Sequence, residues 1–259
     1  MPLTEKQKNN ISNLLTGKIK DKLKRYARES TSMPFLVRLM QDKEKVASYS
    51  FIHSLATTLG MSIYEAVSKI IVEESVTECF TRYDLGGALS KEQKSVIGNI
   101  IAELRNGERE CDIKKEIVEV LAADSSNGKY QKEGRIADFY MLRDGIEQYF
   151  EIKTAKPNID VVSKTKQKLL EWVARKRKNV KVFLAIPYNP YHPEPYDRFT
   201  LKGIFDIGED VLVGKDYWDY LGGNNTYEDL LSLFDKTGIE FKERIQEKIK
   251  EVANEKMNI

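Results

Sequence analysis

Cysteines, histidines and long apolar runs are all scarce in this chain of 259 residues. No run approaches the roughly 18 apolar residues of a membrane helix, and the first residues contain no apolar signal core, so we expect a cytoplasmic protein. The two cysteines, Cys79 and Cys111, form no CxxC pair, which favours a reducing compartment and argues against structural zinc. The two histidines, His53 and His192, are widely separated and do not indicate a histidine metal site.

Excess charge of one sign is also lacking, because the net charge is only +2 although 32% of the residues are charged. With 41% hydrophobic residues, the composition is typical of a globular protein with a highly charged surface. A net charge this small does not indicate a nucleic-acid partner, so any positive field must come from local clustering. The length suits one large domain, or one domain with a subdomain.

Two apolar runs on either side of an Asp-Gly pair at 144–145 predict a β-hairpin, with strands at 135–142 and 147–154. Asp-Gly is a strong hairpin signal because a tight turn needs residues that tolerate positive φ. A two-residue turn would place Asp138 directly opposite Glu151, with Cβ atoms roughly 4.5–5.5 Å apart.

Glu151 and Lys153 share one face of the second strand, since side chains alternate, whereas Phe150 and Ile152 face the other way. The opposed carboxylates of Asp138 and Glu151 repel each other, which indicates a cation between them. Oxygen ligands alone suit Mg²⁺ or Mn²⁺ rather than Zn²⁺, and the lysine can hold a water or stabilise a phosphoryl oxygen. This set predicts phosphodiester cleavage. A hairpin edge with solvated charges is the alternative.

The rest of the chain divides into a helical N-terminal region, a core with strands and a helical C-terminal region, at residues 1–130, 131–215 and 216–259. Helical spacing in the first region predicts helices from Thr4 towards Arg28 and at 46–60, 62–75, 91–105 and 112–123. In the core, an amphipathic helix at 161–178 precedes an apolar strand at 180–186, which predicts a right-handed βαβ crossover. The expected fold class is α/β (α+β), a mixed sheet flanked by helices.

The hairpin, crossover helix and strand, with the pattern Asp138-x(12)-Glu151-x-Lys153, resemble the core of the PD-(D/E)xK nuclease superfamily. Ala137 stands where the superfamily name has proline, at a position that varies widely. Three further segments resemble the TdeIII-type family of type II restriction endonucleases: Phe51-Ile-His-Ser-Leu-Ala-Thr-Thr-Leu-Gly60, Tyr64-Glu65 and Pro187-Tyr-Asn-Pro-Tyr-His-Pro-Glu-Pro-Tyr196. The similarity to this family spans roughly residues 34–200.

This resemblance implies a restriction-endonuclease-like core and Mg²⁺-dependent cleavage of double-stranded DNA at a short site. It also implies a homodimer and a cognate methyltransferase encoded nearby, and TdeIII-type enzymes suggest a GGNCC-like site. Asp138, Glu151 and the Ile152 carbonyl would bind Mg²⁺, with Mn²⁺ as a substitute, and Lys153 would orient or activate the water. Two alternatives remain open: another superfamily nuclease that acts in repair or on junctions, and a non-catalytic DNA-binding protein on the same fold.

One more carboxylate often completes such sites from an N-terminal helix, and Glu65 is the candidate, with Glu103 in reserve. Ser62 lies three residues before Glu65, so a glutamate of a helix-capping box is the alternative interpretation. His53 lies among apolar neighbours, which favours a core or helix-packing role over a role as general base.

Contacts with DNA are expected from the basic side of the predicted helix at 161–178, from the residues just after the catalytic strand and from the proline-rich loop at 187–198. The candidates are Lys156, Asn158, Lys164, Lys168 and Arg175 for the DNA backbone, and Asn189, Tyr191 and Arg198 for base edges or sugars. A solvated helix face and a rigid connecting loop are the alternatives.

Overall fold

The computed structural model describes residues 2–29, 32–154 and 156–256, and it divides into two compact units. The first unit is formed by Met1–Ile70 and Asn225–Ile259, and the second by Ile71–Asn224. This division differs from the predicted boundaries at residues 130 and 215. Within the described ranges, no helix is long and apolar enough to cross a membrane.

The first unit is helical, as the periodicity predicts. Its helices are α1 (Glu5–Glu29), α2 (Pro34–Met40), α3 (Lys43–Thr58), α4 (Tyr64–Val72), which continues into the second unit, and α9 (Thr226–Lys256). The apolar stripe of α1 is buried at Ile11, Leu15 and Leu23. Tyr26 of α1 packs with Phe51 of α3 and with α9, and its hydroxyl donates to a backbone carbonyl of α3 at 2.6 Å.

A π-helical turn, Leu59–Ile63, joins α3 to α4 without a break. The N–H of Tyr64 donates to the carbonyl of Leu59, five residues earlier, which is the spacing of a π-helix. The chain therefore stays helical through the glycine that suggested a helix boundary. The Ser62 hydroxyl donates to the Thr58 carbonyl at 3.3 Å, inside the helical run. The predicted helix start and capping box at Ser62 are therefore wrong.

The second unit holds a mixed sheet with helices packed against it. Its elements are β1 (Glu78–Asp84), β2 (Ala88–Leu89), α5 (Lys91–Asn106), α6 (Ile113–Ala122), β3 (Lys129–Tyr130), β4 (Ile136–Arg143), β5 (Ile146–Ile152), α7 (Ile159–Lys176), β6 (Lys181–Ile186), β7 (Val211–Val213) and α8 (Lys215–Gly222). The sheet order is β1-β4-β5-β6-β7, antiparallel from β1 to β5 and parallel from β5 to β7, whereas β2 pairs with β3. The predicted fold class is confirmed.

The predicted hairpin register is also confirmed. Phe139 pairs with Phe150, and Arg143 pairs with Ile146 next to the turn. Both turn residues have positive φ, 53° at Asp144 and 74° at Gly145, which an Asp-Gly pair tolerates. The strand after α7 runs parallel to β5, so the βαβ crossover is present.

Aromatic side chains fill both faces of the sheet. On one face Tyr149 packs on Tyr140, with ring centroids 5.1 Å apart, and on Trp172 of α7, at 6.1 Å. On the other face Phe150 stacks on Phe183 at 5.0 Å and contacts Tyr217 of α8. Because side chains alternate along β5, the residue two positions after Tyr149 is directed to the side of α7.

Candidate active site

Asp138 and Glu151 lie one residue beyond Phe139 and Phe150, the last pair between β4 and β5. Asp138 Oδ2 accepts a hydrogen bond from the backbone N–H of Ile152 at 2.8 Å, which ties its carboxylate to the strand that carries Glu151. Burial, and then the negative charge of Glu151, raises the pKa of Asp138 above its ordinary value. The hairpin therefore brings two carboxylates close enough to interact.

Two lysines contact the buried carboxylate of Glu151, one on each oxygen. Lys153 Nζ lies 2.5 Å from Oε1, and Lys168 Nζ lies 2.6 Å from Oε2. The contact with Lys153 confirms that residues 151 and 153 share a face. The contact with Lys168 arises because α7 crosses this face of the sheet, and the same ammonium lies 5.2 Å above the ring of Trp172.

The donor set fits a hard divalent cation. Asp138 and Glu151 offer carboxylate oxygens, and the mutual charge that raises the pKa of Asp138 is relieved when a cation lies between the two groups. In the part of the chain that the structure describes, no group of three or more His, Cys, Asp and Glu side chains is gathered for a metal. The proposed set is therefore these two carboxylates and the carbonyl of Ile152.

Comparison with known proteins identifies the class to which this site belongs. The family model described as "Type II restriction endonuclease, HinfI" matches residues 3–238. The chain belongs to the HinfI family of type II restriction endonucleases. This restriction endonuclease is thus a site-specific deoxyribonuclease, which confirms the predicted class of enzyme. The family model that matches is that of HinfI, whereas the sequence motifs resemble TdeIII-type enzymes.

Curated relatives carry the same class name. The type II restriction enzyme HgiCII of Herpetosiphon aurantiacus is 29% identical over 206 residues, which cover 77% of this chain and 75% of that enzyme. HgiEI of the same organism is 28% identical over 206 residues, with the same coverage. The type II restriction enzyme MjaII of Methanocaldococcus jannaschii is 29% identical over 211 residues, 74% of this chain and 55% of that enzyme. No solved structure matches this restriction endonuclease.

Arg175 is not available for DNA. It is 5% exposed, and its guanidinium donates to the carbonyls of Gly86, Gly87, Gln131 and Glu133 at 2.6–3.3 Å. A Cβ atom at Gly87, where φ is 76°, would lie 2.9 Å from the Arg175 Cβ, so only glycine allows this approach. Burial contradicts the prediction that Arg175 contacts the DNA backbone.

Lys164 and Lys168 line a cavity of about 500 Å³ between α5, α7 and the segment before β4. Lys94 of α5 and Gln131 line it too, together with Glu133 and Glu171. Sequence reasoning missed Lys94, because its proximity to α7 depends on how two helices pack. The cavity gives the restriction endonuclease a partly basic recess lined by Lys168, which also contacts Glu151, and contact of its lysines with DNA stays a prediction.

The other predicted DNA contacts have structural roles of their own. Lys156 is exposed and lies 5.0 Å above the ring of Tyr191, and Asn158 caps α7 by accepting the N–H of Val161 at 2.9 Å. The Asn189 amide spans its own loop, donating to the carbonyl of Glu194 and accepting the N–H of Tyr191. These bonds favour a bracing role for Asn189, whereas base contacts by this loop remain predictions.

The remaining candidates are the two additional carboxylates and the histidine. Glu65 is buried in α4 of the first unit, and its participation stays a prediction. Glu103 of α5 forms an ion pair with Arg109 at 3.3 Å. His53 is exposed, so it is not a core histidine, and it stacks with Tyr49 of the same helix, with ring centroids 6.1 Å apart.

Proposed function

We propose that this restriction endonuclease cleaves double-stranded DNA in an Mg²⁺-dependent reaction at the Asp138–Glu151 site. The observation that carries the proposal is that Glu151, Asp138 and Lys153 meet at the end of one hairpin. Asp138, Glu151 and the Ile152 carbonyl would hold the ion. When bound, Mg²⁺ supplies charge stabilisation at the phosphoryl oxygens and lowers the pKa of a bound water.

The side chains have separate tasks in this reaction. Glu151 is nearly inaccessible to solvent, so its charge is directed to the groups that contact it. The side chain of Lys153 is 33% exposed, which lets its ammonium reach an attacking water or a phosphoryl oxygen while it stays beside Glu151. The N–H of Ile152 fixes the orientation of the Asp138 carboxylate before substrate arrives.

We expect the purified protein to cut plasmid DNA with Mg²⁺ or Mn²⁺ and to leave it intact in EDTA. The reason is that the carboxylates of Asp138 and Glu151 supply oxygen ligands, which suit these ions. Gel analysis of the products, followed by sequencing of their ends, reports both the activity and the recognition site. Full activity in EDTA would exclude the metal mechanism.

The same proposal includes the partners. The enzyme would act in the cytoplasm as a homodimer whose two-fold axis matches that of a short symmetric site, since each protomer then cuts one strand. A cognate methyltransferase would be a genetic partner. A GGNCC-like recognition sequence is part of the proposal.

Two variants should distinguish residues that contact the DNA backbone from residues that recognise the base sequence. Lys164→Ala, on the exposed side of α7, should weaken binding to every sequence and reduce the salt-dependence slope by about one unit. Arg198→Ala should cost about 1–3 kcal/mol at the cognate site and relax discrimination there. Binding constants for cognate and scrambled duplexes at several salt concentrations measure both effects. Equal losses on the two duplexes for Arg198→Ala would show that the loop does not read bases.

A further inference from the structure

Lys168 contacts the carboxylate of Glu151, one of the two carboxylates assigned to the metal. It lies on α7, contacts Glu151 Oε2 at 2.6 Å and leaves Oε1 to Lys153. Both oxygens of a side chain that is 5% exposed are thereby engaged by ammonium groups. A divalent cation that binds Glu151 competes with both ammonium groups, because a cation and an ammonium repel each other at contact distance.

The position of Lys168 is built by its surroundings. Its ammonium lies 5.2 Å above the ring of Trp172, whose Nε1 donates to the carbonyl of Gly134 at 2.7 Å. Trp172 is fully buried, so the ring that faces Lys168 is fixed. The face of a tryptophan ring attracts a cation, which holds the lysine near the site even when its contact with Glu151 is lost.

Lys168 also has a route to substrate. Its side chain is 24% exposed, and it lines the partly basic recess of about 500 Å³, where three lysines, Lys94, Lys164 and Lys168, outnumber two glutamates, Glu133 and Glu171. A DNA phosphate in that recess would offer the ammonium a new anionic partner. The lysine can therefore leave Glu151 without losing a charged neighbour.

We propose that Lys168 is a positioning residue that holds Glu151 until metal and DNA bind, and that it then passes to a DNA phosphate. This inference rests on the proposed function, because it assigns Glu151 to the metal. Metal binding to the free protein is then weakened by Lys168, and DNA strengthens it by taking the lysine away. Metal and DNA are thus coupled through one side chain.

Lys176 provides a matched control on the same helix. Its ammonium also contacts a carboxylate, Glu147, at 3.3 Å, and lies 5.9 Å from the ring of Tyr149. Its side chain is 19% exposed, close to the value for Lys168. Lys176→Met therefore removes an equivalent charge and ring contact away from Glu151.

The first measurement is the affinity of the DNA-free protein for Mn²⁺, from the free-ion signal in electron paramagnetic resonance. We expect Lys168→Met to bind Mn²⁺ at least about tenfold more tightly than wild type, and Lys176→Met to match wild type. In a Glu151→Gln background the effect of Lys168→Met should disappear, because the contact between the two residues is gone. Unchanged Mn²⁺ affinity in Lys168→Met would overturn the proposal, as would a gain in affinity that persists in the Glu151→Gln background or the absence of Mn²⁺ binding by Lys168→Met itself.

The second measurement is DNA affinity as a function of salt, with Ca²⁺ and in EDTA. Lys168→Met should reduce the salt slope by about one unit with Ca²⁺ and by less in EDTA, where the lysine stays on Glu151. Equal slopes for all proteins with Ca²⁺ would exclude transfer to phosphate. Cleavage of DNA by the wild-type enzyme in Mg²⁺ tests the proposed function separately. If the wild type cleaves DNA but Lys168→Met has unchanged Mn²⁺ affinity, only the role of Lys168 is wrong. If the wild type does not cleave DNA, the proposed function is wrong.

Discussion

Asp138→Asn and Glu151→Gln should each lower the rate of DNA cleavage by about 1,000-fold or more, since loss of a metal ligand removes several kcal/mol of transition-state stabilisation. Both amides keep the shape of the side chain but remove the charge that holds the ion. The folded protein should not be weakened by Asp138→Asn, because burial and Glu151 already disfavour the charged form of Asp138. Single-turnover cleavage in Mg²⁺ measures the effect, and DNA binding in EDTA should remain measurable.

The same hairpin offers a control in its turn. Asp144 is exposed with a φ of 53°, and Asn-Gly forms this turn as well as Asp-Gly does. Asp144→Asn removes one negative charge from the hairpin without touching the site, so its cleavage rate should stay close to wild type. If Asp138→Asn or Glu151→Gln cut as fast as Asp144→Asn, the catalytic centre would have to lie elsewhere.

The hairpin could be predicted because its determinants are local. The turn residues fix the register, and alternation along the strand then fixes which side chains share a face. The pairing of Phe139 with Phe150 and the contact of Lys153 with Glu151 follow from these rules alone. The crossover helix followed in the same way from one amphipathic stretch between two strands.

The edge strand β1 was missed because its sequence carries no clear apolar alternation. Its side chains are exposed or half-buried along the whole strand, and Arg82 has a φ of 51°, which a regular strand does not adopt. β1 is defined by pairing with β4, across more than fifty residues of chain, so its formation depends on a non-local partner. The helical prediction for residues 1–130 failed there.

Contacts that depend on how helices and loops pack could not be predicted from the sequence either. Helical geometry correctly places Lys164, Lys168 and Arg175 on one side of α7, yet the three have different surroundings. The first is exposed, the second contacts Glu151, and the third is covered by carbonyls of two loops. The angle around a helix axis predicts a direction, and only tertiary structure decides what lies in that direction.

Lys166 is the exception, because a signal was present. It falls three or four residues from Val162, Leu169 and Leu170, which form the apolar side of α7. A lysine at such a position is either buried with partners or destabilising. In the structure it is fully buried and contacts Glu116 of α6 at 2.7 Å and Asp210 at 2.6 Å.

Lys166→Met should lower the free energy of unfolding by about 3–5 kcal/mol at pH 8, because it leaves Glu116 and Asp210 buried without their cation. Urea denaturation measures the loss. The exposed pair of Lys114 and Glu209, 2.9 Å apart, is the comparison, and Lys114→Met should leave the stability close to that of wild type. Adding Asp210→Asn to Lys166→Met should restore part of the stability, since one buried charge is then removed.

The loss caused by Lys166→Met should also depend on pH, in a direction fixed by Asp210. Burial raises the pKa of Asp210 from 3.8 to about 6, although the Lys166 ammonium lowers it. The folded state therefore binds this proton more tightly than the unfolded state, so this group alone makes stability fall as the pH rises from about 4 to about 6. Without the ammonium the pKa rises further, and protonation at lower pH removes the repulsion with Glu116. The loss of unfolding free energy relative to wild type should thus be largest above the pKa of Asp210 in the variant and should shrink towards pH 4. A loss that does not change with pH would show that lost packing, rather than the unpaired charge, is the cause.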